Sequence, residues 1–188
     1  MIKQLEFNSD LWALAPVQTF TCGEREWEVE VGKWIAAPAG DPESALYCIE
    51  QGRCSVWLYT LPADDSLDIV GFTSLGRTSW GLQKRGEKTP IQIVPNFAVA
   101  LRYQGQPRDV PKAERYAYKM FGDLIAEAGR RWKFEGASQL LGLHVHPMNE
   151  RAIQFYENPT HKLSRLPKPI QKGYITMIRA IEESDVRE

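Results

Sequence analysis

The stretch HPMNERAIQFYE, His146 to Glu157, carries the side chains whose types and spacing point most directly to chemistry. It ends in an aromatic pair, Phe155 and Tyr156. Such a ring is ordinary core material, but the Tyr156 hydroxyl can also donate a hydrogen bond or a proton to charge that develops nearby. Just upstream, His144 and His146 are two apart and would share one face of a strand. Imidazole titrates near neutrality, so either could act as a base, although a partly exposed strand-face role is the commoner fate. A pair of this kind can also begin a metal site, but zinc needs at least one more protein ligand. His161 is the one remaining histidine and no CxxC accompanies it, so no metal is expected. A Gly-x-Ser-x-Gly elbow and a phosphate loop ending in Gly-Lys-Ser/Thr are both missing, which argues against a serine hydrolase and a P-loop nucleotidase.

These residues need elements to hold them. Asn149 can cap a helix with Glu150 in its first turn, and Ala152, Phe155 and Tyr156 then share an arc that can face a sheet. The preceding run QLLGLHVH reads as a strand with Leu141, Leu143 and Val145 on one face and Gly142, His144 and His146 on the other. KGYITMIRA makes a last strand. Farther upstream, GEREWEVEVGKWIAA can form a helix with Trp27, Val31 and Trp34 on one side. DPESALYCIEQG forms another, with Asp41 as cap, Pro42 in the first turn and Gly52 at the stop. CSVWLYTL and DIVGFTSL are β runs joined by a hairpin turn, PADDS. TPIQIVPNFAVAL is a longer β run with a bend or bulge at Pro95. RYAYKMFGDLIAEAGRRW is helical, with Tyr116, Met120, Leu124 and Ala128 on one stripe. The order is that of an α/β protein with a mixed sheet.

A strand of alternating apolar residues followed by Asn149, Ala152 and Tyr156 in the pattern N-x-x-A-x-x-x-Y resembles the second half of the GNAT superfamily of acyl-CoA-dependent N-acetyltransferases. IVGFTSLG looks like that family's third strand, and FAVALRYQGQ like its central strand entering the loop that holds the CoA pyrophosphate. TFTCGEREWEVEVGKWI is similar to the first helices of the branch that contains the acetyltransferase toxins of toxin–antitoxin pairs. The resemblance spans Gln18 to Ala180 and implies a centrally splayed mixed sheet flanked by helices, with acetyl-CoA as co-substrate. It implies that NFAVA and LLGLHV are the parallel strands that part, and that backbone groups around Ala98 and Val99 bind the pantetheine arm. It implies that the pyrophosphate is held by Gln104, Gly105 and Gln106 and by the helix start at Arg115 and Tyr116, with help from Arg102 or Arg115, and that Asn149 belongs to the same cofactor site. Tyr156 matches the tyrosine that commonly protonates the departing thiolate. One departure is plain: in the family's R/Q-x-x-G-x-G/A loop, Pro107 and Asp109 fall at glycine positions, and PRDVPKAE reads as an insertion that bulges outward. Proline has no N–H to donate.

The implied chemistry has a thermodynamic limit. A phenol of pKa about 10 facing a thiol of about 8.5 moves its proton uphill by roughly 2 kcal/mol, so hydrogen-bond donation is the larger share of its task. A lysine amine, pKa about 10.4, needs a base, whereas an α-amino group near 8 is about one-tenth neutral at pH 7. Pro95 and Asn96 sit where some relatives carry Glu, and that lack favours an α-amino acceptor or proton loss through water. Trp57 and Trp80 are core by default, or walls of an acceptor pocket. The charges of KAERYAYK and AGRRWK read as solvated helix surface, or as attraction for the adenosine 3′-phosphate of CoA.

Bulk properties fit one domain over residues 1–188, a length that can bury a sizeable core. The net charge of −1 fits a tRNA acceptor poorly, because gripping a nucleic-acid backbone takes concentrated Lys and Arg. The acceptor is therefore expected to be a small-molecule or peptide amine. An aminoacyl-tRNA, as the toxin resemblance implies, and a non-catalytic CoA-binding module are the alternatives. Cys22, Cys48 and Cys54 are irregularly spaced and read as reduced thiols. No run approaches the roughly 20 apolar residues of a membrane span, and the start lacks a signal-like stretch, so a cytoplasmic protein is expected. Relatives often pair, which makes a homodimer an expectation too.

Overall fold

The computed structural model describes residues 3–62, 67–82 and 87–186. The turn expected over PADDS falls largely on residues 63–66, outside the described residues. Among the described residues the sheet has eight strands: β1 (Lys3–Glu6), β2 (Cys54–Leu61), β3 (Asp68–Trp80), β4 (Thr89–Val94), β5 (Phe97–Val99), β6 (Leu140–Val145), β7 (Ser164–Arg165) and β8 (Ile175–Ala180). Their order is β1-β2-β3-β4-β6-β8-β7, with β5 paired to β3. The helices are α1 (Ser9–Trp12), α2 (Ala15–Gln18), α3 (Glu26–Ala36), α4 (Ala45–Glu50), α5 (Tyr116–Glu135) and α6 (Glu150–Glu157). This is the mixed α/β sheet with flanking helices that the sequence pattern implies.

The chain forms two compact units. The first is Met1–Ser74 with Asn96–Met120. Its core gathers Val17, Ile35, Leu46, Val56, Leu58, Ile69, Phe72 and Ala98. Phe72 carries Phe20 on its edge at 5.3 Å and Trp34 stacked at 5.8 Å. A second cluster joins Tyr59, Val70, Val99 and Met120. The start of α4 differs from expectation. Ser44 is its cap, accepting the Tyr47 N–H at 3.0 Å, while Asp41 accepts the Glu43 N–H at 2.9 Å in the turn before it. Gly52, at φ +63°, ends the helix as expected. β1, α1, α2 and β7, each of four residues or fewer, carry too few periods to be read from the sequence, whereas the equally short β5 falls inside the longer TPIQIVPNFAVAL run.

The second unit is Leu75–Pro95 with Phe121–Glu188. Here β6 lies between β4, parallel through Gln92–Val94 opposite Leu141–Leu143, and β8, antiparallel over its whole length. β6 thus pairs in parallel with Gln92–Val94, whereas the Phe97–Val99 part of NFAVA pairs with β3 and lies off the β4-β6 path. Phe121, Leu124 and Ala128 of α5 are buried, as are Leu141, Leu143 and Val145 of β6. Gln92 is buried and polar, and its Nε2 donates to the Ala128 and Ser138 carbonyls, both at 2.8 Å.

One close approach is decisive for the first unit. A Cβ on Gly71 would lie 2.2 Å from the Ala98 carbonyl oxygen and 2.7 Å from Met120 Cε. Gly71→Ala must therefore push β5 off β3, and we expect it to cost about 1–3 kcal/mol of stability, the range for overpacking. Gly40→Ala, where the new Cβ meets nothing within 4 Å, is the control and should change stability by less than about 0.5 kcal/mol. Urea unfolding of both variants checks this, and equal stability would rule out the tight β3–β5 contact.

Candidate active site

Backbone direction in β5 follows from its register. Antiparallel pairs alternate between residues that exchange both backbone hydrogen bonds and residues that exchange none. The Ser74 N–H donates to Asn96 C=O at 3.0 Å, and the Ala100 N–H donates to Val70 C=O at 2.8 Å. Phe72 opposite Ala98 lies midway in the same register and is a bonding pair too. Ala98 therefore turns its N–H and C=O toward β3, which corrects the expectation that it offers them to a cofactor. Val99 turns its own the other way, and its carbonyl accepts from Gln104 Nε2 at 3.3 Å.

After β5 a single 3-10 turn, Leu101–Tyr103, leads to Gly105 at φ +75°, a left-handed conformation that favours glycine. Gln104 Nε2 also donates to the Cys22 carbonyl at 2.5 Å, tying the turn to the segment before α3. The Gln106 N–H donates to Tyr103 C=O at 3.1 Å, and the Gln106 carbonyl accepts the Tyr116 N–H at 2.9 Å. Residues 107–115 thus leave and rejoin the chain across one hydrogen bond. Arg108, Asp109 and residues 111–114 are exposed, so the insertion does bulge outward.

That closure changes which donors remain. The N–H groups of Gln106 and Tyr116, expected to face a pyrophosphate, are bonded to protein carbonyls. The Lys119 N–H goes to Arg115 C=O at 3.0 Å, and among the described residues no loop carbonyl accepts the Ala117 N–H. Arg102 is engaged as well: the Asp68 carboxylate accepts from its guanidinium through one oxygen and from the Tyr103 hydroxyl through the other. The Arg115 Nε is buried and has no hydrogen-bond partner among the described residues.

In the second unit, Asn149 caps α6 as expected, its Oδ1 accepting the Ala152 N–H at 3.2 Å. Ile153 and Tyr156 are the buried residues of the helix. The Tyr156 ring lies 5.2 Å from Phe121 and 5.3 Å from Phe155. Burial raises the Tyr156 pKa well above the ordinary phenol value, because ionisation would place a charge in an apolar setting.

The three histidines have separate surroundings. His144 is half-buried beside Trp80, ring centroids 5.0 Å apart, with Nδ1 3.1 Å from Thr176 Oγ1. Trp80 lies over Gly142, where a Cβ would come within 2.4 Å of the indole. Burial lowers the His144 pKa, which favours a neutral imidazole. His146 Nδ1 accepts the Met148 N–H at 3.2 Å. His161 is buried, its Nδ1–H donating to the Phe155 carbonyl at 2.7 Å, and burial lowers its pKa too. Among the described residues, no group of three or more His, Cys, Asp or Glu is arranged to hold a metal ion.

No family model and no curated protein sequence matches the chain. Solved structures do. A Tyr-to-Phe variant of the AtaT toxin, bound to the C-terminus of the antitoxin AtaR and acetyl-CoA, is 12% identical over 98% of this chain and 95% of its own, with a TM-score of 0.69. The KacTA–DNA complex is 13% identical over 98% and 96%, with a TM-score of 0.65. A protein described as an acetyltransferase of the GNAT family from Desulfovibrio desulfuricans is 13% identical over 97% and 100%, with a TM-score of 0.55. The chain has the GNAT fold.

Within this GNAT fold, the parts that sequence reasoning missed are the ones that act over a distance in the chain. Asp68 stands at a strand start with no local motif around it, yet it fixes both Arg102 and Tyr103 of the turn before Gly105. Ser74 is one more serine in a β run, yet its hydroxyl accepts the Asn96 N–H at 2.8 Å. No helix among the described residues is long and apolar enough to cross a membrane.

The burial of Tyr156 has a measurable consequence. Its folded pKa is raised above the value of about 10 in an unfolded chain, so its contribution to stability is whole below that pH and is lost as pH rises toward the folded value. Between pH 8 and pH 11 wild type should lose roughly 1 kcal/mol more stability than Tyr156→Phe, which has no proton to release. Urea unfolding midpoints at the two pH values read the difference, and parallel losses would contradict a buried phenol.

Proposed function

We propose that this chain is an acyltransferase that moves an acetyl group from acetyl-CoA to a primary amine by direct attack. The observation that carries the reading is the edge of β5: with Ala98 bonded to β3, Val99 directs its backbone N–H the other way, toward whatever completes that edge. A pantetheine arm carries amides that can pair with such an edge as another strand would. The GNAT fold, and acetyl-CoA in the AtaT–AtaR structure, support the same cofactor.

In this reading the motif register shifts by two residues from the expected one, to Arg102-Tyr103-Gln104-Gly105, with the glycine where the left-handed turn falls and Pro107 rather than Asp109 at the second glycine position. Gly105, Ala117 and the Arg115 guanidinium then meet the pyrophosphate, at the start of a 20-residue helix whose positive end favours an anion. Gln104 holds the turn, Gln106 and Tyr116 close it, and Asn149 holds the first turn of the helix that carries Tyr156. The amine nitrogen attacks the thioester carbonyl, the C–S bond breaks, and the thiolate leaves. The nitrogen gives up its proton to water. With its pKa raised by burial, Tyr156 stabilises the thiolate chiefly as a hydrogen-bond donor; as general acid it hands its proton to sulfur and takes one back from the water that received the amine proton.

A second reading is favoured by one observation: the AtaT and KacTA structures match with TM-scores of 0.69 and 0.65, against 0.55 for the Desulfovibrio protein. Here the acceptor is the α-amino group of an aminoacyl-tRNA. That group is partly neutral at pH 7 and makes small demands on a base.

Release of thiol from acetyl-CoA, measured with and without a panel of amines, tests the main reading. We expect amine-dependent release, with kcat at least tenfold lower in Tyr156→Phe and acetyl-CoA affinity unchanged. Release that no amine accelerates would reject the transfer, and an unchanged kcat would return Tyr156 to a packing role. Adding the protein to a cell-free translation extract separates the acceptors. Inhibition that requires acetyl-CoA supports the tRNA reading, and unimpeded synthesis opposes it.

A further inference from the structure

Tyr156 sits in the last turn of α6, where backbone carbonyls run out of helical partners. For Phe155 the next helical donor would be the N–H of residue 159, and Pro159 has none. For Tyr156 it would be the Thr160 N–H, which goes instead to Asn158 Oδ1 at 3.0 Å. Both carbonyls are satisfied from farther along. The His161 Nδ1–H donates to Phe155 C=O at 2.7 Å, and the Leu163 N–H donates to Tyr156 C=O at 3.1 Å. Lys162 makes that return possible, at φ +57° and tied by its Nζ to Glu182 at 2.8 Å. The His161 ring also lies against Phe155, centroids 4.2 Å apart, and edge-on to Phe121 at 4.8 Å. Those two rings are the ones that pack on Tyr156. His161 is in turn fixed to the sheet. Arg179 of β8, bonded to the Asp185 carboxylate, donates from Nη1 to the His161 carbonyl at 2.9 Å.

We propose that His161 is the positioning residue for Tyr156: it supplies the donor that Pro159 lacks and ties the placement of the phenol to β8. The inference rests on Tyr156 being the hydrogen-bond donor to the departing thiolate. A carbonyl can only accept, so the bond to Phe155 requires the imidazole to carry a proton on Nδ1. Burial holds the ring neutral, and the Arg179 guanidinium adds to this against the opposing effect of the Phe155 bond. Loss of the Nδ1–H leaves Phe155 C=O without its partner and lets the last turn of α6 fray. The hydroxyl then shifts while the ring keeps its apolar surroundings. A misplacement of about 1 Å can cost on the order of 10²-fold in rate, so a loosened turn is felt in kcat before it is felt in binding.

Amine-dependent release of thiol from acetyl-CoA tests this. His161→Phe should lower kcat by about fivefold or more and leave the KM for acetyl-CoA within about twofold. His161→Asn, whose amide can present an N–H near the same place, should recover kcat to within about twofold of wild type. The double variant is the deciding arm. On a Tyr156→Phe background, His161→Phe should change kcat by less than about twofold, because a residue that works through the hydroxyl has nothing left to position. Absence of a loss in His161→Phe, an equal loss on both backgrounds, or failure of Asn to rescue would overturn the inference and leave Tyr156 its role. Wild-type kcat in Tyr156→Phe would remove that role and the inference together. Should His161→Phe not fold, nitrogen NMR of the wild-type imidazole decides. A proton on Nδ1 supports the bond to Phe155, and a proton on Nε2 alone overturns it.

Discussion

Pro95 has no N–H to give, and the middle of the chain is organised around that lack. A β run that reached it could not continue its ladder unchanged. The structure resolves the break by handing the next residue to Ser74. The Ser74 hydroxyl accepts the Asn96 N–H at 2.8 Å and donates to the Asn96 carbonyl at 2.7 Å, which also accepts the Ser74 N–H at 3.0 Å. Ser74 is fully buried, so these bonds have no water to compete with them. They fix the register of β5 on β3 and, through the two-residue alternation, decide that Ala98 faces its partner and Val99 does not. The proposed hold on a pantetheine arm is thus a consequence of where one proline falls.

Register also marks the boundary of what could be read from the sequence. Local signals came through: the Pro95 break, the α5 stripe of Met120, Leu124 and Ala128, the Asn149 cap and the Gly52 stop each depend on residues a few positions apart. The direction of the Ala98 carbonyl depends instead on which residue of β3 stands opposite, and nothing within FAVAL states that. The same holds for the Tyr116 N–H. A helix start read alone has an open donor there, and only the return of the chain to Gln106 closes it. Asp41 and Ser44 show a subtler limit. Both are good caps, and the choice fell to Ser44 because Asp41 was already satisfied by the Glu43 N–H, with Pro42 extending the turn. In the candidate site the residue types were legible, whereas their hydrogen-bond directions were set by partners far along the chain.

The Tyr156 ring packs against Phe121 and Phe155, and the burial that makes it core is what raises its pKa. A more weakly acidic phenol transfers its proton less readily but remains a neutral donor through the whole physiological range. In the proposed reaction, where the thiolate's conjugate acid is near pKa 8.5, a steady donor would lower the barrier without full proton transfer. Packing and the proposed chemistry would then have one physical origin.

The acceptor side follows from what the strands put near neutrality. The Asn96 backbone is committed to Ser74, so a substitution that displaced it would disturb the register of β5. His144 is kept neutral by burial and has Nδ1 within 3.1 Å of the Thr176 hydroxyl, which in turn accepts the Ile170 N–H at 2.9 Å. A neutral imidazole in such a chain can pass a proton but is a weak base for a lysine amine, and burial weakens it further. An α-amino group needs no such help. In the proposed reaction, a free α-amine, a peptide N-terminus or an aminoacyl ester would make the smaller demand on a base, because its nitrogen lone pair is already partly available near neutrality, whereas a side-chain lysine would need its proton removed first.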